Sequence, residues 1–599
     1  MVNLNNLILS ASGWRKVFAV SGNENDADSK IGEENTALAM LAAETFTDYI
    51  REQTGKEHIC LVCGIDTRPT GPEIADAMIR VLLAKHVAVK YVGVNAAPEI
   101  MAFSRSFDGF IYISASHNPI GHNGIKFGLH DGGVVCAEEN AKLVKTFKER
   151  CAAPDAEQRI RSLAAECSAD DLEWVYNETP AAKKEGLAAY RSFIESVIAG
   201  SENRSVISDF FSLLKSCTHA YNIGVVCDMN GSARTLSIDR ELFKSCGINF
   251  YTIHDKPGEI AHGIIPEPEN LVWCAKEMER LQKEGHTDAV LGYMPDCDGD
   301  RGNIVYWDEK NKHAAILKAQ EVFSLSVLSE LAFFSWRNRT TADYKPAVVV
   351  NCPTSMRIED IAAAFKARVF RAEVGEANVV NLARQKRAEG YTVRILGEGS
   401  NGGNITHPEA VRDPINTIFA LIKLLVLHNN DNFPGLYKIW CKNSGTPYSA
   451  AEHITLTQVI KTLPVYVTTG VSEQRALLHI KTQDHALLKR RFQNEFIKEW
   501  NVKQVNLQKK YGIYSYKAVA TNGTVETMDI TDYGISGRGG LKIIFYDKDN
   551  RPAAFIWMRG SGTEPVFRIM CDVKGSYPDR EADLLKWETQ MLENADAGE

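Results

Sequence analysis

The chain has 599 residues, of which 44% are hydrophobic and 24% are charged, the composition of an ordinary soluble globular protein. This length exceeds what one hydrophobic core supports, so we expect about three to five domains. The formal net charge of −8 offers no basic surface for nucleic acid or for an anionic membrane. No apolar run approaches the roughly 18 residues that cross a bilayer, so a membrane protein is also excluded.

The N-terminus and the cysteines both favour a cytoplasmic location. The apolar patch Leu7-Ile8-Leu9 has no preceding Lys or Arg and is too short for a signal peptide. The 13 cysteines are odd in number and scattered. Cys60 and Cys63 have the CxxC spacing inside a strand-like run, but no second CxxC completes a zinc site. We therefore predict free thiols and a cytoplasmic protein.

Alternating apolar patterns predict an α/β fold for the first part of the chain. Periodicity predicts helices over 36–54 and 73–83, and short apolar runs predict strands over 59–64, 87–94 and 110–113. This alternation favours a largely parallel sheet covered by helices. The charged stretch from about 138 to 201 is predicted to be mostly helical.

Further strand-and-helix units follow along the chain. Strands are predicted over 223–228, 289–294, 347–350, 393–396, 541–546 and 553–558, and helices over 317–335 and 415–427. The stretch from 435 to 509 is predicted to be mainly helical. Its basic run Lys489-Arg490-Arg491 is interpreted as a solvated helix face.

A hydroxyl stands just beyond one of the predicted strands. The run 110–113 breaks into a polar turn that contains Ser116 and His117 and ends in Asn118-Pro119. Loops at strand ends are where α/β sheets place ligands. Ser116 is therefore a candidate nucleophile, provided that neighbouring groups activate it and neutralise charge.

Three carboxylates at alternate positions follow the strand 289–294. Asp296, Asp298 and Asp300 surround a glycine, so their oxygens can converge on one hard cation, and oxygen ligands suit Mg²⁺. An EF-hand is excluded, because Arg301 and Trp307 stand where that motif needs Gly and Glu. The alternative is an acidic surface turn, in which the three charges would repel each other without a counter-ion.

Two glycine-rich turns follow later strands. One combines Arg559, Ser561, Thr563 and Arg568, and such hydroxyls, guanidinium groups and free backbone N–H groups suit a phosphate. The other holds Glu398 and Ser400, which suit sugar hydroxyls, although a plain loop is an equal alternative. A nucleophile, a cation loop, a polyol turn and a phosphate cradle together indicate phosphoryl transfer on a phosphosugar.

Four motifs resemble those of a known family in the same order: Ser114-Ala-Ser-His-Asn-Pro119, Asp296-Cys-Asp-Gly-Asp-Arg301, Gly397-Glu-Gly-Ser400 and Arg559-Gly-Ser-Gly-Thr-Glu-Pro565. The flanking matches are Ser12-Gly-Trp-Arg15, Asp66-Thr-Arg68, Asn123-Gly-Ile-Lys126, Val374-Gly375 and Arg412-Asp413. Over nearly its whole length the sequence is similar to the α-D-phosphohexomutases, which include phosphoglucomutases and phosphomannomutases. The resemblance implies four domains around a central cleft, three similar α/β/α domains and a smaller C-terminal α+β domain. For this chain we place them at 1–200, 201–308, 309–432 and 433–599.

The resemblance also implies a role for each matched residue. Ser116 would carry the phosphoryl group beside His117, and would bind Mg²⁺ together with Asp296, Asp298 and Asp300. Lys126 would act as general acid and base with support from Arg68, while Arg15 and Arg301 would contact the phosphoserine. Glu398 and Ser400 would bind the sugar. The phosphate that does not react would be held by Arg559, Ser561, Gly562, Thr563 and Arg568.

The implied activity is the interconversion of hexose 1-phosphate and hexose 6-phosphate, of glucose and/or mannose, with Mg²⁺ and an activator of the glucose 1,6-bisphosphate type. Ser114 replaces the usual Thr, and Cys297 the usual Ala or Gly. Many members continue the sugar loop with Ser-Gly-His, whereas Asn401-Gly402-Gly403 follows Ser400 here. Glucosamine and pentose phosphates therefore stay as alternative substrates, and a non-catalytic phosphosugar-binding homologue is the alternative from another class. The extra helical segments near 152–200 and 436–509 have no assigned role.

Overall fold

The computed structural model describes residues 2–427, 433–448, 453–560 and 566–598. The described residues form a mixed α/β protein with several α/β/α domains and a C-terminal sheet-rich domain, which confirms the predicted fold class. The chain divides into two compact units, Met1–Leu317 with Ile405–Leu427, and Lys318–Asn404 with His428–Glu599. The four predicted domain ranges and the cleft between them stay predictions.

The first sheet of the first unit consists of β1 (Ile8–Ser10), β2 (Gly13–Val17), β3 (Cys60–Ile65), β4 (Ala88–Val94), β5 (Gly109–Ile113) and β6 (His122–Leu129). The strand order is β1-β2-β6-β5-β3-β4. β3 is parallel to β4 and β5, whereas β1, β2 and β6 pair antiparallel with their neighbours. The predicted largely parallel sheet is therefore mixed, because short loops join β1 to β2 and β5 to β6 and permit antiparallel pairing.

Eight helices follow or separate these strands. They are α1 (Gly32–Thr54), α2 (Gly71–Ala84), α3 (Ala97–Phe103), α4 (Ala137–Ala152), α5 (Ala156–Ala165), α6 (Ala169–Asn177), α7 (Thr179–Ala199) and α8 (Arg204–Tyr221). The apolar stripe of α1 contributes Phe46, which stacks on Phe127 of β6 with ring centroids 4.6 Å apart. The predicted helical stretch 138–201 is confirmed, while α8 has no counterpart in the sequence prediction.

The second sheet of the first unit positions the acidic loop. Its strands are β7 (Gly224–Asp228), β8 (Asn249–Ile253), β9 (Ala289–Pro295), β10 (Gly302–Asp308) and β11 (His313–Ile316), in the order β11-β10-β9-β7-β8. The helices are α9 (Asp239–Ser245) and α10 (Pro268–Lys283). β7 is parallel to both β8 and β9, so the carboxyl ends of these three strands share one edge.

The third sheet consists of β12 (Pro346–Asn351), β13 (Arg368–Ala372), β14 (Thr392–Glu398) and β15 (Gly403–Thr406), in the order β13-β12-β14-β15, and its first three strands belong to the second unit. The helices are α11 (Ala319–Arg337), α12 (Arg357–Ala364) and α13 (Glu376–Ala388). The next helix, α14 (Pro414–Val426), belongs to the first unit and packs there on α7, α8, β9 and β10. All 13 of its residues are buried, because the helix is apolar on most of its surface; the exceptions are Asn416, Thr417 and Lys423.

The C-terminal sheet contains β16 (Tyr466–Thr468), β17 (Leu477–Leu478), β18 (Ser515–Asn522), β19 (Val525–Met528), β20 (Gly540–Tyr546), β21 (Pro552–Gly560) and β22 (Phe567–Lys574). Its pairing is antiparallel throughout the described strands. The helices are α15 (Leu436–Ser444), α16 (Leu456–Ile460), α17 (His485–Tyr511) and α18 (Pro578–Ala597). Within the described ranges, no helix combines the length and the hydropathy needed to cross a bilayer.

One sequence interpretation in this domain is wrong. Lys489 is fully buried, whereas the basic run that contains it was interpreted as a solvated face. Its position on α17 lies beside Leu488 and in line with Phe492 and Phe496, which form the buried stripe of this helix. Of the three basic residues, Lys489 therefore lies on the buried face of the helix.

Candidate active site

The candidate nucleophile lies in the loop that follows β5. Ser116 has a φ of 54°, in the left-handed region that residues other than glycine seldom adopt, and it is buried. Its peptide N–H donates to Ser114 Oγ over 2.8 Å, and Ser114 Oγ–H donates to Asp298 Oδ2 over 3.0 Å. Strained backbone of this kind persists only where surrounding contacts impose it, and it concentrates at functional sites.

Arg68 supplies most of those contacts. Its two terminal nitrogens donate to four carbonyl oxygens of the serine loop and the start of β6, those of Ser116 (2.7 Å), Asn118 (2.6 Å), Pro119 (2.6 Å) and His122 (3.0 Å). Its Nε–H donates to the buried Asp66 over 3.2 Å. These bonds use all five N–H donors of the guanidinium group. Arg68 therefore positions the loop and has no donor left for a phosphate.

The three predicted carboxylates lie on the tight loop between β9 and β10. All three are buried, and Gly299 in the middle of the loop has a φ of 69°, a conformation that glycine adopts without strain. Ser116 Oγ–H donates to Asp296 Oδ2 over 2.7 Å, so the hydroxyl contacts the carboxylates directly. One oxygen from each of the three carboxylates lies within 4.8 Å of the other two.

The donor set of these carboxylates fits a divalent cation. Asp298 Oδ1 and Asp300 Oδ1 are buried and accept no hydrogen bond from any described residue. Burial, reinforced by Asp298 and Asp300, raises the pKa of Asp296 well above its usual range. Three buried carboxylates repel each other unless a cation neutralises them, and an all-oxygen set suits Mg²⁺. The residues present thus match the predicted magnesium site.

Lys126 lies beside two of these carboxylates. Its Nζ lies 2.6 Å from Asp298 Oδ2 and 3.8 Å from Asp300 Oδ2. Burial by itself lowers the pKa of Lys126, but the two carboxylates outweigh it and raise the pKa above its usual value. For Asp298, burial raises the pKa, but Lys126, together with Arg412 and Ser114, outweighs burial so that the pKa falls below its usual range. Lys126 is therefore an ammonium group in the resting site, the acid form of a proton carrier.

Arg15, Arg301 and His117 also lie around the serine. Arg15 stands opposite Gly124 on β6, where an added Cβ would approach Arg15 Cγ to 2.9 Å. Arg301 donates its peptide N–H to Asp296 Oδ1 over 3.1 Å. The Nε atoms of Arg15 and Arg301 are buried and have no hydrogen-bond partner among the described residues. Such unsatisfied guanidinium donors suit an anion such as a phosphoryl group.

Burial and neighbouring guanidinium groups shift the pKa values of Arg15 and His117. Burial, and then Arg301, lowers the pKa of Arg15 to about 10, so it stays charged at neutral pH. Arg301, and then burial, lowers the pKa of His117 well below its usual value. His117 Nδ1 lies 3.4 Å from Ser116 Oγ, so a neutral imidazole faces the hydroxyl.

Arg412 is a site residue to which the sequence analysis gave no role. Its Nη2 lies 2.9 Å from Asp300 Oδ2. The next residue, Asp413, caps α14 by accepting from the Ile415 N–H over 2.8 Å, and it also accepts from Tyr190 Oη–H of α7 over 2.5 Å. The sequence did contain a sign of this role, the family match at Arg412-Asp413, but only the fold shows that this segment lies beside the acidic loop.

The predicted sugar residues lie in the second unit, at the carboxyl end of β14. Asn351, at the end of the parallel strand β12, donates from Nδ2 to Glu398 Oε1 over 3.1 Å and to Ser400 Oγ over 3.0 Å. The Gly375 N–H donates to Glu398 Oε1 over 2.7 Å. The side chains are nearly buried yet keep free lone pairs, which is an arrangement that suits hydroxyl groups of a ligand.

Two of the predicted phosphate residues lie side by side on neighbouring strands of the C-terminal sheet. Arg559 on β21 is the register partner of Arg568 on β22. Arg559 Nε lies 2.9 Å from Glu373 Oε1, and Arg568 Nη1 donates to Val471 O over 2.5 Å. Glu373 was not predicted, although the matched pair Val374-Gly375 follows it directly. Ser561, Gly562 and Thr563 lie outside the described residues.

Comparison with known proteins assigns the chain to a family. The family model described as phosphoglucomutase/phosphomannomutase, alpha/beta/alpha domain I, matches residues 20–153, and that of alpha/beta/alpha domain III matches residues 330–438. The first range contains Ser116, Arg68 and Lys126, and the second contains Glu398 and Ser400. The chain belongs to the α-D-phosphohexomutase family. Phosphohexomutases are isomerases that transfer phosphate within their substrate, and this chain is such an enzyme.

Curated members of the family resemble the chain at modest identity. The phosphoglucomutase/phosphomannomutase of Thermococcus kodakarensis is 25% identical over 589 residues, which cover 97% of this chain and 99% of the relative. The phosphoglucosamine mutase of Campylobacter curvus is 26% identical over 62% of this chain and 71% of its own length. The family is thereby supported over the whole chain, while the names of the relatives differ in the sugar.

Solved structures share the fold. A phosphoglucomutase/phosphomannomutase family protein from Burkholderia thailandensis superimposes with a TM-score of 0.62 at 16% identity, covering 100% of this chain and 99% of the other. The phosphoprotein parafusin, a phosphoglucomutase from Paramecium, gives a TM-score of 0.61 at 15% identity, covering 98% and 95%. The multi-domain phosphohexomutase fold is thus confirmed.

Proposed function

We propose that the protein interconverts hexose 1-phosphates and hexose 6-phosphates, of glucose and/or mannose, through phospho-Ser116 and a bisphosphate sugar. The observation that carries the proposal is the contact of Ser116 Oγ with Asp296 Oδ2 at 2.7 Å, in a carboxylate cluster that also holds the Lys126 ammonium. A hydroxyl next to a cation site and a proton carrier is the arrangement that phosphoryl transfer requires.

In the forward half-reaction the bond between phosphorus and Ser116 Oγ breaks, and a new bond forms from phosphorus to a free sugar hydroxyl. Lys126 donates a proton to Ser116 Oγ and recovers one from the sugar hydroxyl, so that it acts as general acid and then as general base and ends the half-reaction as an ammonium group. Arg15 and Arg301 stabilise the phosphoryl oxygens, and Arg68 holds the loop in place. Mg²⁺, held by Asp296, Asp298 and Asp300 together with Ser116, would supply neutralisation of phosphoryl charge. The reverse half-reaction returns the other phosphate of the bisphosphate to Ser116.

The proposal assigns the rest of the substrate to the second unit. Glu398 and Ser400 bind sugar hydroxyls, since their oxygens are already oriented by Asn351. Arg559 and Arg568, with Ser561, Gly562 and Thr563, hold the phosphate that is not reacting. A substrate bound in two orientations explains why an activator of the glucose 1,6-bisphosphate type would keep the serine phosphorylated.

The test is phosphopeptide mass spectrometry combined with activity assays. We expect one labile phosphate on Ser116 after incubation with glucose 1,6-bisphosphate, loss of that phosphate in the presence of excess substrate, and no mutase activity in Ser116→Ala. Ser212→Ala, which removes an exposed hydroxyl on α8, is the matched control and should keep full activity. A fully active Ser116→Ala variant would refute the phosphoserine mechanism.

Glucosamine phosphate is the second candidate substrate. It is favoured by the similarity to phosphoglucosamine mutases, and the sequence Asn401-Gly402-Gly403 after Ser400 departs from the common sugar loop. Asn401 Nδ2 donates to Glu398 Oε2 over 3.2 Å, so this departure from the usual loop lies on the sugar residue itself. Comparing kcat/KM for glucose, mannose and glucosamine 1-phosphates decides between the substrates.

A further inference from the structure

A second cluster of metal-binding side chains lies in the second sheet, and the proposed mutase reaction does not use it. Asp228 is the last residue of β7, and His254 follows the last residue of the neighbouring parallel strand β8. His262 lies in the connection that leads from β8 to α10. The cluster is part of the first compact unit, at the same edge of the sheet as the carboxyl end of β9.

The three side chains converge on one point. Asp228 Oδ1 lies 2.9 Å from His254 Nδ1, and Asp228 Oδ2 lies 2.8 Å from His262 Nε2. One donor atom from each residue lies within 4.8 Å of the other two. Two imidazole nitrogens and one carboxylate are therefore close enough together to bind a single small cation.

The hydrogen bonds of His262 indicate what belongs between these groups. Its Nδ1 lies 3.1 Å from Gly263 O, a carbonyl that only accepts, so Nδ1 must carry a proton. In a neutral ring Nε2 then holds a lone pair, and that lone pair points at the carboxylate oxygens of Asp228. The repulsion is removed either by a second proton or by a cation on Nε2. An Nδ1–H bonded to a backbone carbonyl is the usual support of a histidine that binds metal through Nε2.

The surroundings fix the cluster in place. Asn230 Oδ1 accepts from the peptide N–H groups of Ala261 and His262, and its Nδ2 donates to the carbonyl oxygens of His262 and Gly263. The ring of Trp273 stacks on that of His262 with centroids 5.5 Å apart and an interplanar angle of 12°. His254 has a φ of 47°, a strained conformation for a residue other than glycine. These contacts hold the ligand atoms together in advance of binding.

We propose that Asp228, His254 and His262 bind one divalent cation of the zinc type, at a site distinct from the magnesium loop. Imidazole nitrogen donors favour Zn²⁺ over Mg²⁺, whereas the three carboxylates of the magnesium loop offer oxygen only. The His254 side chain is 30% exposed, which gives the ion access and leaves room for a water ligand. The ion fixes the loop 254–262 to the end of β7.

This loop reaches the segment that holds the serine loop in place. A Cβ added at Gly258 would lie 3.4 Å from Thr67 O, and Thr67 immediately precedes Arg68. The Gly258 N–H also donates to Gly231 O over 2.8 Å. The cation therefore stabilises a connection between the two sheets of the first unit, and we assign it a structural role.

The test is a Zn²⁺ titration of the full chain after treatment with a chelator, carried out in saturating Mg²⁺ so that the acidic loop is filled. We expect one equivalent of Zn²⁺ to bind in the presence of Mg²⁺ and to raise the thermal unfolding temperature. His254→Ala and His262→Ala should weaken this binding on the order of 100-fold or more, because each removes a ligand. Co²⁺ in place of Zn²⁺ should give visible d–d bands without a thiolate charge-transfer band, which separates this site from the free cysteines.

Two control variants make the outcome decisive. His219→Ala removes an exposed histidine on α8 and should leave Zn²⁺ binding unchanged. Asp298→Asn alters the magnesium loop and should also keep the Zn²⁺ equivalent. If His262→Ala fails to fold, the more exposed His254→Ala and the Co²⁺ spectrum of the wild-type protein carry the test. The proposal fails if no Zn²⁺ binds in the presence of Mg²⁺, or if binding persists unchanged in both histidine variants.

Discussion

Ser116 is held in a left-handed conformation by a single guanidinium group that binds the backbone around it. Arg68 donates to four carbonyl oxygens of the segment 116–122 and to the buried Asp66, with no N–H left over. A phosphate-binding arginine keeps free donors, as Arg15 and Arg301 do at their Nε atoms. Of the four arginines of this site, Arg68 therefore positions the nucleophile and Arg15 and Arg301 are available to the phosphoryl group. The fourth, Arg412, pairs with Asp300.

Arg68→Lys tests this division. An ammonium group has three donors and cannot satisfy four separated carbonyls, so we expect the loop to shift. A displacement of the nucleophile on the order of 1 Å should lower kcat by about 100-fold. KM should change little, because Arg68 contacts no substrate in the proposed mechanism. The measurement is steady-state kinetics on glucose 1-phosphate. Arg80→Lys, which alters a surface ion pair on α2, is the matched control. A raised KM at unchanged kcat would contradict the positioning role.

A second prediction at this scale concerns Lys489. Its Nζ donates to Gly537 O over 2.9 Å and to Gly539 O over 2.5 Å, and burial lowers its pKa to about 7. Below that pH, folding must bury an ammonium group. Above it, the folded state holds a neutral amine while the unfolded chain still binds a proton. The unfolding free energy therefore rises with pH between about 7 and 10, by at most ~1.4 kcal/mol per pH unit.

Lys489→Met removes this pH dependence. We expect the unfolding free energy of the wild-type protein, relative to that of the variant, to increase by about 2 kcal/mol between pH 7 and pH 9. The measurement is urea denaturation at several pH values. Lys498→Met is the control, since Lys498 lies on the same helix with a side chain that is 72% exposed. An equal pH profile for wild type and Lys489→Met would show that Lys489 stays charged in the folded protein.

At the scale of elements, the helix α7 supports the acidic loop through a network of buried side chains. Tyr190 on α7 donates to Asp413 Oδ2 over 2.5 Å and accepts from Arg234 Nη1 over 3.1 Å. Asp413 caps α14, and the preceding Arg412 pairs with Asp300 of the acidic loop. Helix α7 thus supports the segment that places the Arg412 guanidinium group beside the proposed magnesium site.

Tyr190→Phe should therefore affect both stability and metal use. It deletes two buried hydrogen bonds of a charged network, and we expect a loss of about 2 kcal/mol in unfolding free energy. We also expect a higher Mg²⁺ concentration for half-maximal activity, because Arg412 is held less firmly. Chemical denaturation and Mg²⁺ titration of the activity measure these effects. Tyr176→Phe, which deletes a surface hydrogen bond to Asp76, should change neither quantity appreciably. If Tyr190→Phe needs the same Mg²⁺ concentration for half-maximal activity as the wild-type protein, α7 stabilises the fold but does not affect the magnesium site.

At the scale of the whole molecule, each compact unit contains part of the proposed machinery. The first unit holds the nucleophile, the carboxylates and their cations, and the second holds the sugar residues and the phosphate arginines. The chain leaves the first unit after residue 317, returns at 405 and leaves again after 427. This return is what places Arg412 and α14 with the acidic loop, although they follow the sugar loop in sequence.

Ser116 and the three carboxylates of the first unit were predicted from local patterns, whereas the roles of Arg15, His117, Arg68, Lys126 and Arg301 came from the family resemblance. Strand ends could be predicted because apolar runs stop at polar turns, and the alternating Asp296, Asp298 and Asp300 predict convergence by spacing alone. Arg412, Glu373 and Asp228 could not be found in this way. Each acts through a partner more than 20 residues away, as with Arg412 and Asp300, and a lone charge in sequence does not indicate whether it is solvated or paired.

The sequence by itself determined the α/β class, the order of the polar loops, the candidate nucleophile and the carboxylates that suit magnesium. These properties depend on the alternation of apolar and polar residues and on short spacings, which local geometry translates directly into structure. Only the tertiary structure decided that Arg68 binds the loop backbone, that Lys489 is buried, and that Asp228, His254 and His262 meet. Those outcomes depend on which distant strands become neighbours, and long-range packing sets the burial and the partners of every charged side chain.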